Sequence, residues 1–298
     1  MNVALTNSQV KAPEGWLASL DLVAARRGER TVLDRNSHCG PLRVQRPFYP
    51  EGGVCHVYVL HPPGGLVAGD ELAIRVHCER ETQLLLTTPS AGRVYCSNTQ
   101  QLPQSQQVTL RVEAGARCEW LPQENIVFDR AEALNRLSVR LAENAEFTGW
   151  EVTCLGRPAA NAAFNGGHLR QRWDIYREHR PLLLERTEFI GGSPQLQARW
   201  GLAGATVIGT LVTTCLDVPV AQLREQIESV LDSKENKKSN PLTFDRPLVA
   251  VSALPELLVV RAFGQNAADV KAVFIALWHL LRRAQTGQNA AAPRIWFT

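Results

Sequence analysis

Three stretches of the chain repeat one design, and that repetition limits what the fold can be. They are LAIRVHCERETQLLL from Leu72, VTLRVEAGARCEWLP from Val108 and LSVRLAENAEFTGWE from Leu137. Each has an apolar–Arg–apolar centre: Ile74-Arg75-Val76, Leu110-Arg111-Val112 and Val139-Arg140-Leu141. Each then runs through a short polar turn, with Gly115 in the second and Asn144 in the third, into another strand-like segment. The spacing between copies is uneven, but the unit reads as two strands that cannot bury a face alone and must stack on their neighbours. A chain built this way is mainly β, either a superhelical, β-helix-like stack or a sandwich, and not a parallel sheet alternating with helices. Within the first copy, Leu72, Ile74, Val76 and Cys78 fall on one face and Glu71, Arg75 and His77 on the other, as a half-buried strand requires. CHVYVL (55–60) is a further strand by composition.

Two helices are predicted in the last third. Leu223, Ile227, Val230 and Leu231 share a face after Pro219, which suits a first turn. Val270, Val273, Phe274, Leu277, Trp278 and Leu281 form a second stripe, with Asn266 as N-cap, Arg282 and Arg283 at the negative end of the dipole, and Gly287 as the stop. LLVVRAF (257–263) reads as a buried strand. The chain closes on PRIWFT, whose Trp296 and Phe297 belong to the core or to a partner-facing surface. No linker divides the chain, so residues 15–298 are read as one domain behind a flexible 1–14.

With 298 residues and 45% hydrophobic content, the chain can bury a large core without disulfides. A net charge of +3 and the absence of a long basic run argue against nucleic acid. The densest lysine stretch, KENKK (234–238), reads as a solvated loop. MNVALTNSQVKAPEG lacks the pattern of a signal peptide, and no apolar run is long enough to span a bilayer, so a cytoplasmic protein is expected. Seven scattered cysteines, with no C-x-x-C, fit neither a disulfide framework nor a thiolate zinc cage and read mostly as small buried apolar groups.

Chemistry-bearing motifs are sparse. HPPGGLVAGDEL (61–72) is stiff, then loose, and ends on adjacent carboxylates, Asp70 and Glu71. Adjacent residues in an extended strand point to opposite faces, so only a turn at Gly69 brings these two together. The same parity separates His56 from His61, which weakens a metal site built on that pair with Asp70. Ser90 lies in a Pro/Ala/Gly turn and reads as turn chemistry. There is no nucleophile elbow, H-E-x-x-H, P-loop or G-x-G-x-x-G. Residue types and spacing alone name no reaction.

The motifs taken in order do resemble a family. GPLRVQRPFYPEG (40–52), HPPGGLVAGD (61–70), LLTTPSAGRVY (85–95), EWLPQENIVF (119–128), GWEVTCLGRP (149–158), PLLLERTEF (181–189) and PRIWFT (293–298) resemble the urease accessory protein family UreD, also called UreH. The resemblance implies a superhelical stack of strands with two helices, and a non-enzymatic metallochaperone scaffold. It implies work with UreF and the GTPase UreG on the urease apoprotein (UreABC), delivering Ni²⁺ through a water-filled tunnel, with no tightly bound cofactor. By the same resemblance, Asp70, Glu71, Glu151 and Glu185 are the transient, tunnel-lining nickel ligands. Weak carboxylate sites suit a conduit, which has to release what it binds. Against that, each carboxylate could be a surface charge or be paired locally, Glu151 with Arg157 and Glu185 with Arg186. The family's usual lysine in the TPSAG segment is Arg93 here and a basic position is Cys96, so Arg93 and Tyr95 join Trp296 and Phe297 as candidate partner contacts. Two rival readings are a metal-dependent hydrolase using His56, His61 and Asp70, and a passive scaffold.

Overall fold

The computed structural model describes residues 15–233 and 246–297. The segment 1–14 and the KENKK stretch lie outside the described residues. In chain order the strands begin with β1 (Leu17–Arg27), β2 (Arg30–Cys39), β3 (Arg43–Val44), β4 (Cys55–Leu60), β5 (Glu71–Cys78) and β6 (Gln83–Thr87). They continue with β7 (Gly92–Val94), β8 (Gln104–Val112), β9 (Arg117–Trp120), β10 (Asn125–Val127), β11 (Ala131–Leu141) and β12 (Glu146–Leu155). The rest are β13 (Gly167–Arg177), β14 (Arg180–Ile190), β15 (Val207–Thr213), β16 (Leu248–Ala253) and β17 (Leu258–Gly264). Three helices accompany them: a single turn α1 (Pro194–Gln197), then α2 (Val220–Asp232) and α3 (Ala267–Thr286). No helix among the described residues is long and apolar enough to cross a membrane.

The strands form two facing sheets. One runs β14-β13-β11-β8-β5-β1-β2, and the other β16-β17-β15-β12-β9-β6-β4-β3 with β10 and β7 attached beside β12. From β4 to β13 the chain passes back and forth between them, so that strands adjacent in a sheet are parallel. A parallel pair needs a long crossover, and here a strand of the facing sheet supplies it. The mainly β expectation holds. The expected superhelix does not continue as a solenoid. Antiparallel strands end the parallel run on both sides, at β2 and β14 in one sheet and at β15–β17 and β3 in the other.

The three repeats lie side by side as β5, β8 and β11. Leu110 pairs with Val139 as the sequence alignment has it, whereas Ile74 pairs with Val108, two residues from the expected partner. A slip of two preserves the face, so the apolar set still points inward. Leu72, Ile74, Val76 and Cys78 are all buried.

Apolar side chains gather in three clusters. The first fills the space between the sheets with Leu20, Ile74, Leu110 and Val139 from one side and Val57, Leu86, Trp120 and Phe147 from the other. A smaller one, with Ala133, Leu155, Leu169 and Phe189, lies between the same sheets nearer the other strand ends. The remaining cluster packs α2 and α3 on the outer face of the second sheet, through Trp150, Leu211, Phe274 and Trp278. Both long helices form where predicted. Asn266 caps α3 by accepting from Ala268 N at 2.9 Å, and Gly287 ends it at φ 69°. Pro219 stands at the N-cap of α2 rather than inside its first turn.

One residue fixes how closely α3 approaches. A Cβ on Gly209 of β15 would lie 2.6 Å from Val270 Cγ1 and 2.9 Å from Phe274 Cε2. Gly209→Val forces the helix outward and is expected to cost about 1–3 kcal/mol, as overpacking does. Urea unfolding of the full-length variant against the parent measures this, and an unchanged midpoint contradicts the packing described.

Candidate functional site: a polar seam between the sheets

On strand after strand, one inward position breaks the apolar pattern. In β11 the inward series is Ala131, Ala133, Asn135, Leu137 and Val139. In β13 it is Leu169, Gln171, Trp173 and Ile175. Register places the interruptions in a row. Gln106 of β8 pairs with Asn135, Asn135 with Gln171, and Gln171 with Thr187 of β14. The facing sheet has a matching row, in which Glu151 of β12 pairs with Thr210 of β15, and Thr210 with Arg261 of β17. Apolar neighbours flank that row, Ile208 and Phe263 on one side and Val212 and Val259 on the other. A polar seam thus crosses the sandwich between its two internal clusters.

The seam is hollow. A cavity of about 300 Å³ opens between the 61–66 loop, the 88–93 loop and residues 122–125, and reaches inward to Asn135, Glu151 and Thr153. A second, of about 100 Å³, is lined by Glu151, Gln171, Trp173, Glu185, Thr210 and Arg261, among others. Glu151 lines both. Gln171 of the smaller cavity donates to Thr153 of the larger at 3.1 Å, in the wall beside it.

Glu151 is enclosed by protein yet keeps accessible surface, because what it meets is cavity rather than bulk solvent. Burial pushes its carboxyl up to about 7, partly opposed by a hydrogen bond from Trp173 Nε1 at 3.2 Å. The alternative partner Arg157 lies elsewhere: its guanidinium stacks on the Phe128 ring, 4.3 Å from the centroid. Glu185 sits one row along, opposite Trp173 in β14. Its ion-pair partner is Arg261, reaching across from the facing sheet, and not Arg186, which binds Asp174 at 2.6 Å on the outer face.

Asp70 and Glu71 line neither cavity. Asp70 is buried and its two carboxylate oxygens accept from Trp16 N at 2.8 Å and Val67 N at 2.9 Å. Gly69, at φ 86°, makes the turn that aims it inward, while Glu71 points out to solvent on β5. The carboxylate pair therefore splits rather than converging. Asp70 acts on the larger cavity through its loop and through its charge on His61. His61 lines that cavity, and burial depresses its imidazole while the nearby Asp70 charge pulls the other way. The HPPGG backbone passes so close under Tyr95 that a Cβ on Gly65 would lie 2.4 Å from the ring.

Of the remaining candidates, Arg93 is exposed at the larger cavity, its guanidinium 3.3 Å from Gly64 O. Tyr95 is half-buried and meets Phe128 edge-on at 5.0 Å. The closing aromatics part company. Trp296 is buried against Trp150 and Trp278 and donates to Thr87 Oγ1 at 2.9 Å, whereas Phe297 is 70% exposed. His56 belongs elsewhere altogether, on the helix side of its sheet, bonded to Glu51, which in turn pairs with Arg282 of α3. It never meets His61, so the rival metal site has no geometry. Among the described residues no group of three or more His, Cys, Asp and Glu side chains is placed to hold a metal ion.

The sequence reading missed Gln106, Asn135, Gln171 and Arg261. A signal for them was present: each is a polar residue in phase with the apolar face of its own strand.

The family model described as UreD urease accessory protein matches residues 17–297. Among curated relatives, the urease accessory protein UreD of Dechloromonas aromatica is 42% identical over 100% of both chains. That of Hahella chejuensis is 40% identical over 98% of this chain and 94% of its own. That of Saccharophagus degradans is 39% identical over 95% and 93%. The fold with its hollow seam is thus that of an accessory-protein family. The chain belongs to the UreD family.

The Glu151 carboxyl makes a pH prediction. The folded state holds a proton that the unfolded chain has lost, so stability declines as pH rises from about 4.5 to about 7. Glu151→Gln removes that decline and keeps the acceptor for Trp173. Above pH 7 the variant is expected to be the more stable by up to about 3 kcal/mol, and to match the parent near pH 4.5. Thermal melts across this range measure it. Parallel stability curves for the two proteins defeat the assignment.

Proposed function

We propose that this chain is a urease maturation factor that conducts Ni²⁺ along the seam to the urease apoprotein, in a complex with UreF and UreG. The observation carrying this reading is that Glu151 lines both cavities, with Glu185 one row beyond it in the second. Relatives alike across nearly the whole chain are named urease accessory proteins, which supplies the destination. The chemistry suits a cargo in transit. Two carboxylates backed by amides and hydroxyls bind a divalent cation weakly, where clustered imidazoles or thiolates would trap it.

In this reading the protein turns over no substrate. The cation enters the larger cavity past His61 and Arg93 in the outer wall, exchanges water for the Glu151 carboxylate, and moves on to Glu185. A proton leaves Glu151 as the cation arrives, since the carboxyl is partly protonated near neutrality. Asp70 shapes the loop forming one wall and is not itself a ligand; Glu71 remains on the surface. Exposed Phe297, Arg93 at the cavity rim and half-buried Tyr95 are the proposed contacts to UreF or urease, in a cytoplasmic assembly.

The test is co-expression of urease with its accessory proteins, using Glu151→Gln and Glu185→Gln. Each is expected to lower urease nickel content at least severalfold while the accessory complex still co-purifies. Full nickel loading in the Glu151 variant refutes conduction and leaves the passive scaffold as the function.

A further inference from the structure

The two carboxylates of the seam are not in equivalent states. Among the described residues Glu151 has no ion-pair partner and takes one side-chain hydrogen bond, from an indole N–H. Glu185 is capped by a guanidinium. That guanidinium reaches it because register places Arg261 in the Glu151–Thr210 row, projecting inward from β17, while β14 is the facing edge strand of the other sheet. The ion pair therefore bridges the two sheets at the rim of the smaller cavity. Arg261 is its outer member, with 41% of its side chain exposed against 22% for Glu185. Among the described residues only β16 lies beyond it, with Ala250 paired to Arg261 and Leu248, on the same face, exposed.

We propose that Arg261 is the gate of this end of the seam: its guanidinium occupies the place a divalent cation would take at Glu185, and the two exchange there. This rests on the passage reading and adds to it the regulation of one mouth. The exchange is balanced in charge and breaks no covalent bond. An arginine at contact distance repels an arriving cation and competes with it for the carboxylate oxygens, which favours departure of the guanidinium as the metal arrives. It has somewhere to go. Its exposed side faces the open edge beside β16, where water takes over its hydrogen bonds. The gate opens when a cation displaces it, and at rest the guanidinium occupies the carboxylate.

The experiment is direct Ni²⁺ titration of the purified full-length protein, with a competing chromogenic chelator. Arg261→Gln frees Glu185 and is expected to bind Ni²⁺ roughly fivefold more tightly, the scale of removing a partly exposed ion pair. Arg261→Lys keeps the charge and is expected to match the parent. Adding Glu185→Gln to Arg261→Gln is expected to abolish the gain. A dissociation constant for Arg261→Gln within twofold of the parent, or a gain that survives Glu185→Gln, overturns the gate. Should Arg261→Gln fail to fold, the parent protein decides together with Arg261→Lys. Its Arg261 Nε–H resonance, assigned by its loss in Arg261→Lys, is expected to shift or broaden as Ni²⁺ binds; an unmoved resonance at saturation overturns the gate. The readouts stay separate from urease loading. If Glu151→Gln leaves urease fully loaded, conduction fails while exchange at Glu185 can still be seen. If affinity ignores Arg261, the gate fails and the passage stands.

Discussion

In-register pairing is the constraint on which this molecule depends. Between β4 and β13 the chain alternates between the sheets, with β7 and β10 as short additions to the second, so each long strand returns beside its predecessor at a fixed level. An inward residue is then never isolated; it belongs to a row crossing the sheet. One polar side chain buried alone in a dry sandwich costs several kcal/mol if unpaired. A whole row of them, facing another row, makes a hydrated slot in which each finds partners or water. Gln106, Asn135, Gln171 and Thr187 are tolerable because they are aligned with each other and opposite Glu151 and Thr210. The apolar clusters on either side hold the sheets at a fixed separation across the slot.

The helical layer does more than cover the second sheet. Lys271 of α3 reaches Glu124 at 2.9 Å and also binds Gln123, and both acceptors line the larger cavity. Gln123 in turn donates to the carbonyl of Ile295 at 3.1 Å, next to the buried Trp296. The closing segment and α3 thus brace one wall of the cavity from behind. Further along α3, Arg282 is held between Glu119 and Glu51 in a buried network that includes His56 and the Trp278 indole. Removing one member of such a network leaves a charge stranded, which ties the helix to its place more firmly than apolar contact alone. Trp296 is part of this bracing, while the next residue faces outward.

How much could be read from the sequence follows from the range of each signal. Alternation in β5, the apolar stripe of α3, its Asn266 cap and its Gly287 stop are local, and all appear in the structure. Pairing between strands is not local. A repeat alignment that slips by two still buries the right face, so the error between Ile74 and Leu110 did no harm to the fold and could not have been noticed. The carboxylates were harder. Asp70 and Glu71 are neighbours in sequence and part in space, whereas Glu185 and Arg261 are far apart in sequence and meet. Proximity in the chain also suggested Arg186 for Glu185, although adjacent strand residues face opposite ways and parity alone disfavours it. The same parity, applied to LLVVRAF, puts Arg261 inward with Val259 and Phe263. A lone arginine in the buried phase of a strand was the most informative residue of that segment.

The seam's electrostatics run in one direction. Glu151, enclosed and without a cationic neighbour, gives up its proton near neutrality, so its appetite for a cation is conditional on pH and on what is offered. Glu185 already carries a cation, one that belongs to the protein. In the proposed passage, a divalent ion moving from the first carboxylate to the second replaces first a proton and then a guanidinium. On that proposal neither step leaves a bare charge in a low-dielectric interior. For a channel that must discharge its cargo, binding has to be offset at every stage by something released. In the proposed passage that role falls to two carboxylates with different partners, an indole N–H for Glu151 and a guanidinium for Glu185, set by where β12, β14 and β17 place them.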